Sequence, residues 1–226
     1  MKLFTIGHSN HSIETFIGLL NKHNVTAVAD VRSHPYSRNF PHFNLASLRK
    51  TLKTANIAYI FLGDNLGARP NERSCYVEGM ARYDLIAATE AFTDGLARLI
   101  KGAERHQITL MCAEHDPIVC HRAILVCQHL RKTGLETQHI LKSSDLESHQ
   151  HLEERLLKLH HLEQMLSPSE KSDDAYKSAE QLSLFDTKLY SAHARQMDVK
   201  TTFHFREELI QKAYKLQGDR IAYVEK

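Results

Sequence analysis

The sequence predicts an α/β protein: a wound, mainly parallel sheet flanked by helices, with a C-terminal linker and a helical tail. Three observations carry this reading. Over the first 140 residues, short apolar runs rich in Val, Ile, Leu and aromatic residues alternate with longer stretches of helical periodicity, which is the order of βαβ units. Polar and chemically varied residues follow each apolar run, as expected where ligands sit outside the carboxyl ends of parallel strands. After Leu166 the pattern stops, and Ser167-Pro168-Ser169-Glu170-Lys171-Ser172-Asp173-Asp174 is polar and aperiodic.

Leu3–Gly7 is the first expected strand; the chain reaches Gly7 and His8 at once, without the apolar core of a signal peptide. Ser12 opens the first helix as an N-cap, with Phe16, Leu19 and Leu20 on one face. Ala27–Val31 is the second strand, and Asn44 is expected to cap a helix through Leu45, Leu48 and Leu52. Ala58–Leu62 is the third strand. One long amphipathic helix is expected from Tyr83 to Arg105, then a strand at Thr109–Cys112 and a helix from His121 to Lys132 stopped by Gly134. Thr137–Leu141 is the fifth strand, and Leu146 to Leu166 reads as a helix. Residues 1–166 therefore form one domain, 167–190 a linker, and 191–226 a helical tail, periodic from Phe205 to Leu216, whose apolar end at Ile221–Val224 is expected to dock on the domain.

At 226 residues, 42% hydrophobic and 25% charged, the chain has the composition of a globular domain, and no apolar run is long enough to span a bilayer. Four irregularly spaced cysteines argue against a secreted disulfide framework and for reduced thiols in the cytoplasm. A net charge of +2 is too weak to announce a nucleic-acid partner. His149, His151, His160 and His161 lie in a polar stretch and read as solvated surface. Oligomeric state is not legible.

The densest post-strand segment is Cys112-Ala113-Glu114-His115-Asp116-Pro117-Ile118-Val119-Cys120-His121-Arg122, which runs directly into a helix. Cys120 at a helix start is placed to ionise, so Cys120, His121, Glu114, His8 and Asp30 are the candidate catalytic residues. Ser9, Arg32, Ser37, Arg38 and Arg122 are the candidate anion or substrate binders. No cofactor is expected. The metal alternative uses Cys112, Cys120 and His121 with Glu114 or His8; Cys-x7-Cys-His supplies one adjacent pair, which does not easily bite a single ion. Cys75 and Cys127 read as structural, and no Walker, dinucleotide-binding or nucleophile-elbow motif occurs.

These blocks resemble a known family, the domain-of-unknown-function 488 family, over roughly residues 1–165. The resemblance rests on Thr5-Ile6-Gly7-His8-Ser9-Asn10, on Asp30-Val31-Arg32-Ser33 with Pro35, Ser37-Arg38 and Pro41, on Leu62-Gly63 with Leu66-Gly67, and on Cys112-x-Glu114 with Cys120-His121-Arg122. It implies the fold and the site positions but no reaction. The family pattern leads one to expect a glycine where Ala68 stands.

Within the linker, Gln181-Leu182-Ser183-Leu184-Phe185 resembles the pentapeptide with which bacterial replication and repair proteins bind the sliding clamp. Such a peptide docks extended, Gln181 in a small polar pocket and Leu184 and Phe185 in an apolar one. The competing reading is a tail strand whose alternate apolar residues pack on the domain. With the clustered site, the peptide leads to the expectation of a DNA-maintenance enzyme acting on a nucleic-acid or nucleotide-derived, phosphate-bearing substrate. A cysteine-dependent small-molecule enzyme and a non-catalytic anion-binding or clamp-adaptor module are the alternatives.

Overall fold

Strands buried on both faces need apolar side chains at almost every position, and the runs at 2–7, 27–30 and 108–112 meet that need. The computed structural model describes residues 1–166 and 199–225. In chain order the elements are β1 Lys2–Gly7, α1 Ile13–Lys22, β2 Ala27–Asp30, α2 Leu45–Thr54, β3 Ala58–Phe61, α3 Gly63–Leu66, β4 Tyr76–Val77 and β5 Met80–Ala81. They continue with α4 Tyr83–Ala87, α5 Glu90–Ala103, β6 Ile108–Cys112, a π-helix Arg122–Cys127 leading into α6 Gln128–Leu130, β7 Glu136–Ile140, β8 Leu146–Ser148, α7 His149–Leu159 and α8 Val199–Ile221. The main sheet has the order β3-β2-β6-β1-β7-β8, parallel except for β8 at its edge, so the fold is α/β.

Side-chain alternation along the central strands divides the interior in two. One core holds Leu3, Ala29, Leu110 and Cys112 against Phe92 and Leu99 of α5 and Leu125 and Val126 of the π-helix. The other holds Ile6, Val28 and Met111 against Phe16 and Leu20 of α1 and Leu48 and Leu52 of α2. The register sets Gly7 opposite Cys112 and Asp30 opposite Met111, so the polar residues at the strand ends inherit the same division.

Several local expectations change. Ser12 does cap α1, its hydroxyl accepting from Thr15 N at 3.2 Å. Asn44 precedes α2 but makes no cap; its Oδ1 accepts instead from Ser37 N at 2.6 Å. The stretch from Tyr83 to Arg105 is two helices, because the Thr89 hydroxyl accepts from Phe92 N at 3.1 Å and starts a new one. Leu146–Ser148 is not helical but pairs antiparallel with β7. His149 is buried at 8% exposure, unlike the solvated residue its surroundings suggest. Ala68 lies outside the positive-φ residues, so its turn needs no glycine. The tail helix is longer than its periodicity indicated.

By contacts the chain divides into two units, residues 1–152 with 214 onward, and residues 153–213. In the first unit the chain end pairs with the β4–β5 hairpin: Ala81 N donates to Tyr223 O at 2.8 Å and Glu225 N to Gly79 O at 2.9 Å. The hairpin turn at Glu78 and Gly79 is left-handed at both residues, the conformation a two-residue loop needs. In the second unit Leu156, Leu157, Leu162, Phe205, Leu209, Ile210 and Ala213 are buried. No helix among the described residues is long and apolar enough to cross a membrane. The 167–190 linker, including Gln181–Phe185, lies outside the described residues.

Candidate functional site

The residues that the sequence groups as one site form two clusters on opposite faces of the sheet. On the α1/α2 face the centre is Asp30. Its carboxylate accepts from Arg32 N at 3.1 Å, Arg32 Nε at 2.9 Å, Arg32 NH2 at 2.6 Å and Tyr59 OH at 2.8 Å. Arg32 NH2 also donates to Phe43 O at 2.9 Å and NH1 to His8 Nε2 at 3.2 Å. An arginine only donates, so His8 is neutral, with its proton on Nδ1, which donates to Ser9 O at 3.1 Å. Burial, and then the Arg32 guanidinium, lower the His8 pKa to about 4 against the pull of Ser9 O and Asp30. The expected proton carriers His8 and Asp30 thus have their lone pairs occupied, and Arg32 has its fork occupied. They staple loops together rather than face a substrate. Ser37 belongs to the same support, its Oγ accepting from Phe40 N at 3.1 Å, while Arg38 is exposed.

On the α5 face lie Cys112, Cys120, His121, Arg122 and Glu114. Gly7 permits this arrangement, because a Cβ there would overlap the carbonyl oxygen of Glu114 where the post-β6 loop crosses β1. Asp116 Oδ1 accepts from Ile118 N at 3.1 Å and sets the 3₁₀ turn Pro117–Val119, which delivers Cys120 to the sheet. Glu114 is exposed as a residue, yet its Oε2 reaches inward to lie 3.2 and 3.0 Å from the Cys112 and Cys120 sulfurs. Arg122 is fully buried: NH1 donates to Glu114 O at 2.6 Å, NH2 to His115 O at 3.1 Å and Nε to Thr5 Oγ1 at 3.3 Å. Its fork therefore clamps the loop and is not offered to an anion. Ser9, at φ 44°, holds the same loop from the other side, its N donating to Ala113 O at 2.8 Å.

The sequence argument against one ion binding both Cys120 and His121 fails on the backbone. Cys120 is extended (φ −130°, ψ 137°) and His121 helical (φ −60°, ψ −25°), and this change of conformation turns two adjacent side chains to the same centre. Cys112 Sγ, Cys120 Sγ and one His121 ring nitrogen lie within 4.8 Å of one another. His121 Nε2 donates to Val31 O at 2.9 Å, which leaves the Nδ1 lone pair facing Cys112 Sγ at 3.6 Å. That is the second-shell hydrogen bond by which metal-binding histidines fix their tautomer. Ligand separations around a tetrahedral zinc are about 3.3–3.8 Å, so small side-chain adjustments suffice. The π-helix begins at Arg122, and π turns often mark functional sites.

Burial opposes ionisation of Cys120, but Cys112, the Arg122 guanidinium and His121 outweigh it and hold its thiol well below the usual range. Cys112, hydrogen-bonded to that sulfur and buried, keeps its proton. Burial of its carboxyl, and then the Cys120 charge, raise Glu114. For His121, burial favours the neutral ring, but the Cys120 sulfur overcomes it and raises the pKa.

The sequence reading missed two features. Tyr83 packs on the same core as Cys112 and Cys120; burial, and then Cys120, Cys112 and Glu114, push its phenol up, opposed by Arg69. Behind Arg122 runs a buried chain of hydrogen bonds. Thr5 Oγ1 accepts from Arg122 Nε and lies 2.8 Å from His139 Nδ1; His139 Nε2 lies 3.0 Å from His149 Nδ1, and His149 Nε2 2.8 Å from Tyr214 OH. Burial, and then Arg131, lower the His149 pKa to about 4. Only the count of histidines hinted at this chain. Cys75 and Cys127 are buried free thiols, and burial pushes both up.

No curated protein and no solved structure matches the chain. One family model, described as a domain of unknown function, DUF488, matches residues 12–128. That range takes in Asp30–Arg38, Leu62–Gly67 and Cys112–Arg122, and begins after the Thr5–Asn10 block. Since the match spans more than half of the 226 residues, the chain belongs to the DUF488 family.

Proposed function

We propose that Cys112, Cys120 and His121 form a divalent-metal centre of the zinc class, and that the domain is a metal-assisted hydrolytic enzyme. The observation that carries this reading is the convergence of two thiols and a histidine nitrogen within 4.8 Å, with the other nitrogen of His121 tied to Val31 O. Two cysteines and one histidine leave a fourth position, the pattern of catalytic rather than closed structural zinc. A metal bound there supplies an acidified water and a Lewis acid. Glu114, with Oε2 beside both sulfurs and its outer side open to solvent, would hold and return the proton that such a reaction moves.

The test is elemental analysis of the purified full chain together with hydrolysis of a panel of substrates. About one zinc per chain is expected. Cys112→Ser and Cys120→Ser should each weaken zinc binding by more than the roughly 10–100-fold that outer-shell changes cost. Glu114→Gln should keep the metal and lose turnover; loss of metal in that variant would make Glu114 the fourth ligand of a closed site. A wild-type chain that neither contains zinc nor takes it up on titration overturns the reading and returns the cluster to thiol chemistry.

A second reading concerns place and substrate, and the segment Gln181–Phe185 supports it: recruitment to the bacterial sliding clamp, with a nucleic-acid or nucleotide-derived substrate. Binding of the peptide to purified clamp should be lost in a Leu184→Ala, Phe185→Ala double variant; unchanged binding removes this reading.

A further inference from the structure

A cleft of about 200 Å³ is lined by His34, Arg69, Pro70, Arg73, Tyr76 and Tyr223, and by Glu225. Tyr76, Tyr83 and Tyr223 pack on the same core cluster as Cys112 and Cys120. Cleft and centre also hang on one short segment, since Val31 O accepts from His121 Nε2 at 2.9 Å and Ser33 Oγ from Arg69 N at 3.0 Å.

The cleft is built around one cation. Arg69 N donates to Ser33 Oγ at 3.0 Å, and Gly67 lets the loop lie against Ser33, because a Cβ at 67 would overlap Ser33 Oγ. The Arg69 guanidinium lies 4.3 Å over the Tyr223 ring, which the hairpin pairing holds in place. Stacking grips a guanidinium by its face and leaves its N–H donors at the edge. Those donors meet no hydrogen-bond partner among the described residues. Arg73, by contrast, is neutralised by Glu225, donating from NH1 to both carboxylate oxygens at 2.7 and 2.6 Å. Arg32 and Arg122 have their forks spent inside the protein, whereas Arg69 keeps donors to offer.

We infer that this cleft is the anion subsite of the same centre, with Arg69 receiving a phosphate or carboxylate group of the substrate while the reacting atom lies over Cys112, Cys120 and Glu114. This rests on the reading of that cluster as catalytic. A forked, immobilised guanidinium suits a bidentate oxyanion, and an aromatic support keeps the group pre-positioned.

Inorganic phosphate and acetate, titrated separately into the full-length protein and followed by calorimetry, test the assignment. Binding of at least one is expected, with Arg69→Ala weakening it tenfold or more, Arg69→Lys restoring part of it, and a change at the exposed Arg105, Arg105→Ala, leaving it unchanged. Arg69 is exposed, so its removal leaves folding intact. Tighter binding of phosphate assigns a phosphate-bearing substrate, and tighter binding of acetate a carboxylate. Binding of neither, or equal binding by wild type and Arg69→Ala, overturns the subsite. Zinc content measured on the same preparations separates the two proposals: metal retained without Arg69-dependent binding removes the subsite alone, and Arg69-dependent binding in protein that cannot hold metal removes the metal centre alone.

Discussion

The two faces of the sheet carry similar residue types at the same strand ends and use them in opposite ways. On the α1/α2 face, Asp30, Arg32, His8 and Tyr59 satisfy one another: the carboxylate accepts four hydrogen bonds, and the histidine is held neutral by an arginine that donates to it. On the α5 face, two thiols, a carboxylate and a histidine nitrogen point at a common centre and compete for protons. A closed polar network adds rigidity and has nothing left to react with. An open one of soft and acidic groups is where a ligand is wanted. Type and position along the strand do not separate the two; the face does, because alternation sends Met111 one way and Cys112 the other.

The sharpest way to break this contrast is to disarm one face at a time. Asp30→Asn leaves Arg32 buried without its counter-charge and should cost about 3–5 kcal/mol in urea unfolding, while the zinc content of the folded fraction stays at the wild-type level. Cys120→Ser should do the reverse, changing the stability of the metal-stripped protein by only about 1 kcal/mol while removing metal binding. Equal stability losses in the two variants would mean that both clusters are structural staples.

The division into faces was legible in principle and the fold was legible in fact. Five strands fall where they are expected, and the three buried on both sides, β1, β2 and β6, are the plainest to read, since such strands have little other composition available. The failures share a cause, which is a polar group whose partner is distant in sequence. β8 reads as part of a helix because a short antiparallel edge strand needs no apolar pattern, only β7 beside it. His149 reads as solvated because its partners, His139 and Tyr214, lie 10 and 65 residues away. The pairing of Cys120 with His121 around one centre depends on a change of backbone conformation between neighbours, which no spacing rule records.

Acid exposes the next difference. His8 and His149 both have folded pKa values of about 4 against 6.5 in the unfolded chain, so between these values the unfolded chain binds more protons. Their contribution to stability is therefore present above pH 6.5 and is lost as pH falls toward 4, by up to about 3 kcal/mol each. Unfolding free energy followed across that window should show the loss. His149→Gln, which takes no proton, should remove about half of the slope and leave the part due to His8 on the opposite face. A slope that His149→Gln does not alter would place the titrating groups elsewhere and detach the Thr5–His139–His149–Tyr214 chain from the acid response.

The smallest effect concerns how the stapled face is held from outside. Phe43 accepts from Arg32 through its carbonyl and stacks on His8 with ring centroids 4.3 Å apart, and Asn44 follows it directly. Asn44 stands where a helix cap is expected, yet its amide oxygen accepts from Ser37 N and not from the first turn of α2. Asn44→Ala should therefore cost about 1 kcal/mol through the loop, not the helix. Amide exchange distinguishes the two. Faster exchange at Ser37 with unchanged protection at Leu48 onward is the expected pattern, whereas Ser12→Ala, which removes a working cap, should fray the first turn of α1. Fraying of α2 in Asn44→Ala would instead make Asn44 a cap in solution, and the loop that carries Phe43 to the Asp30 cluster would then be held by Leu45 N donating to Pro35 O at 3.0 Å and Phe40 N to Ser37 Oγ at 3.1 Å.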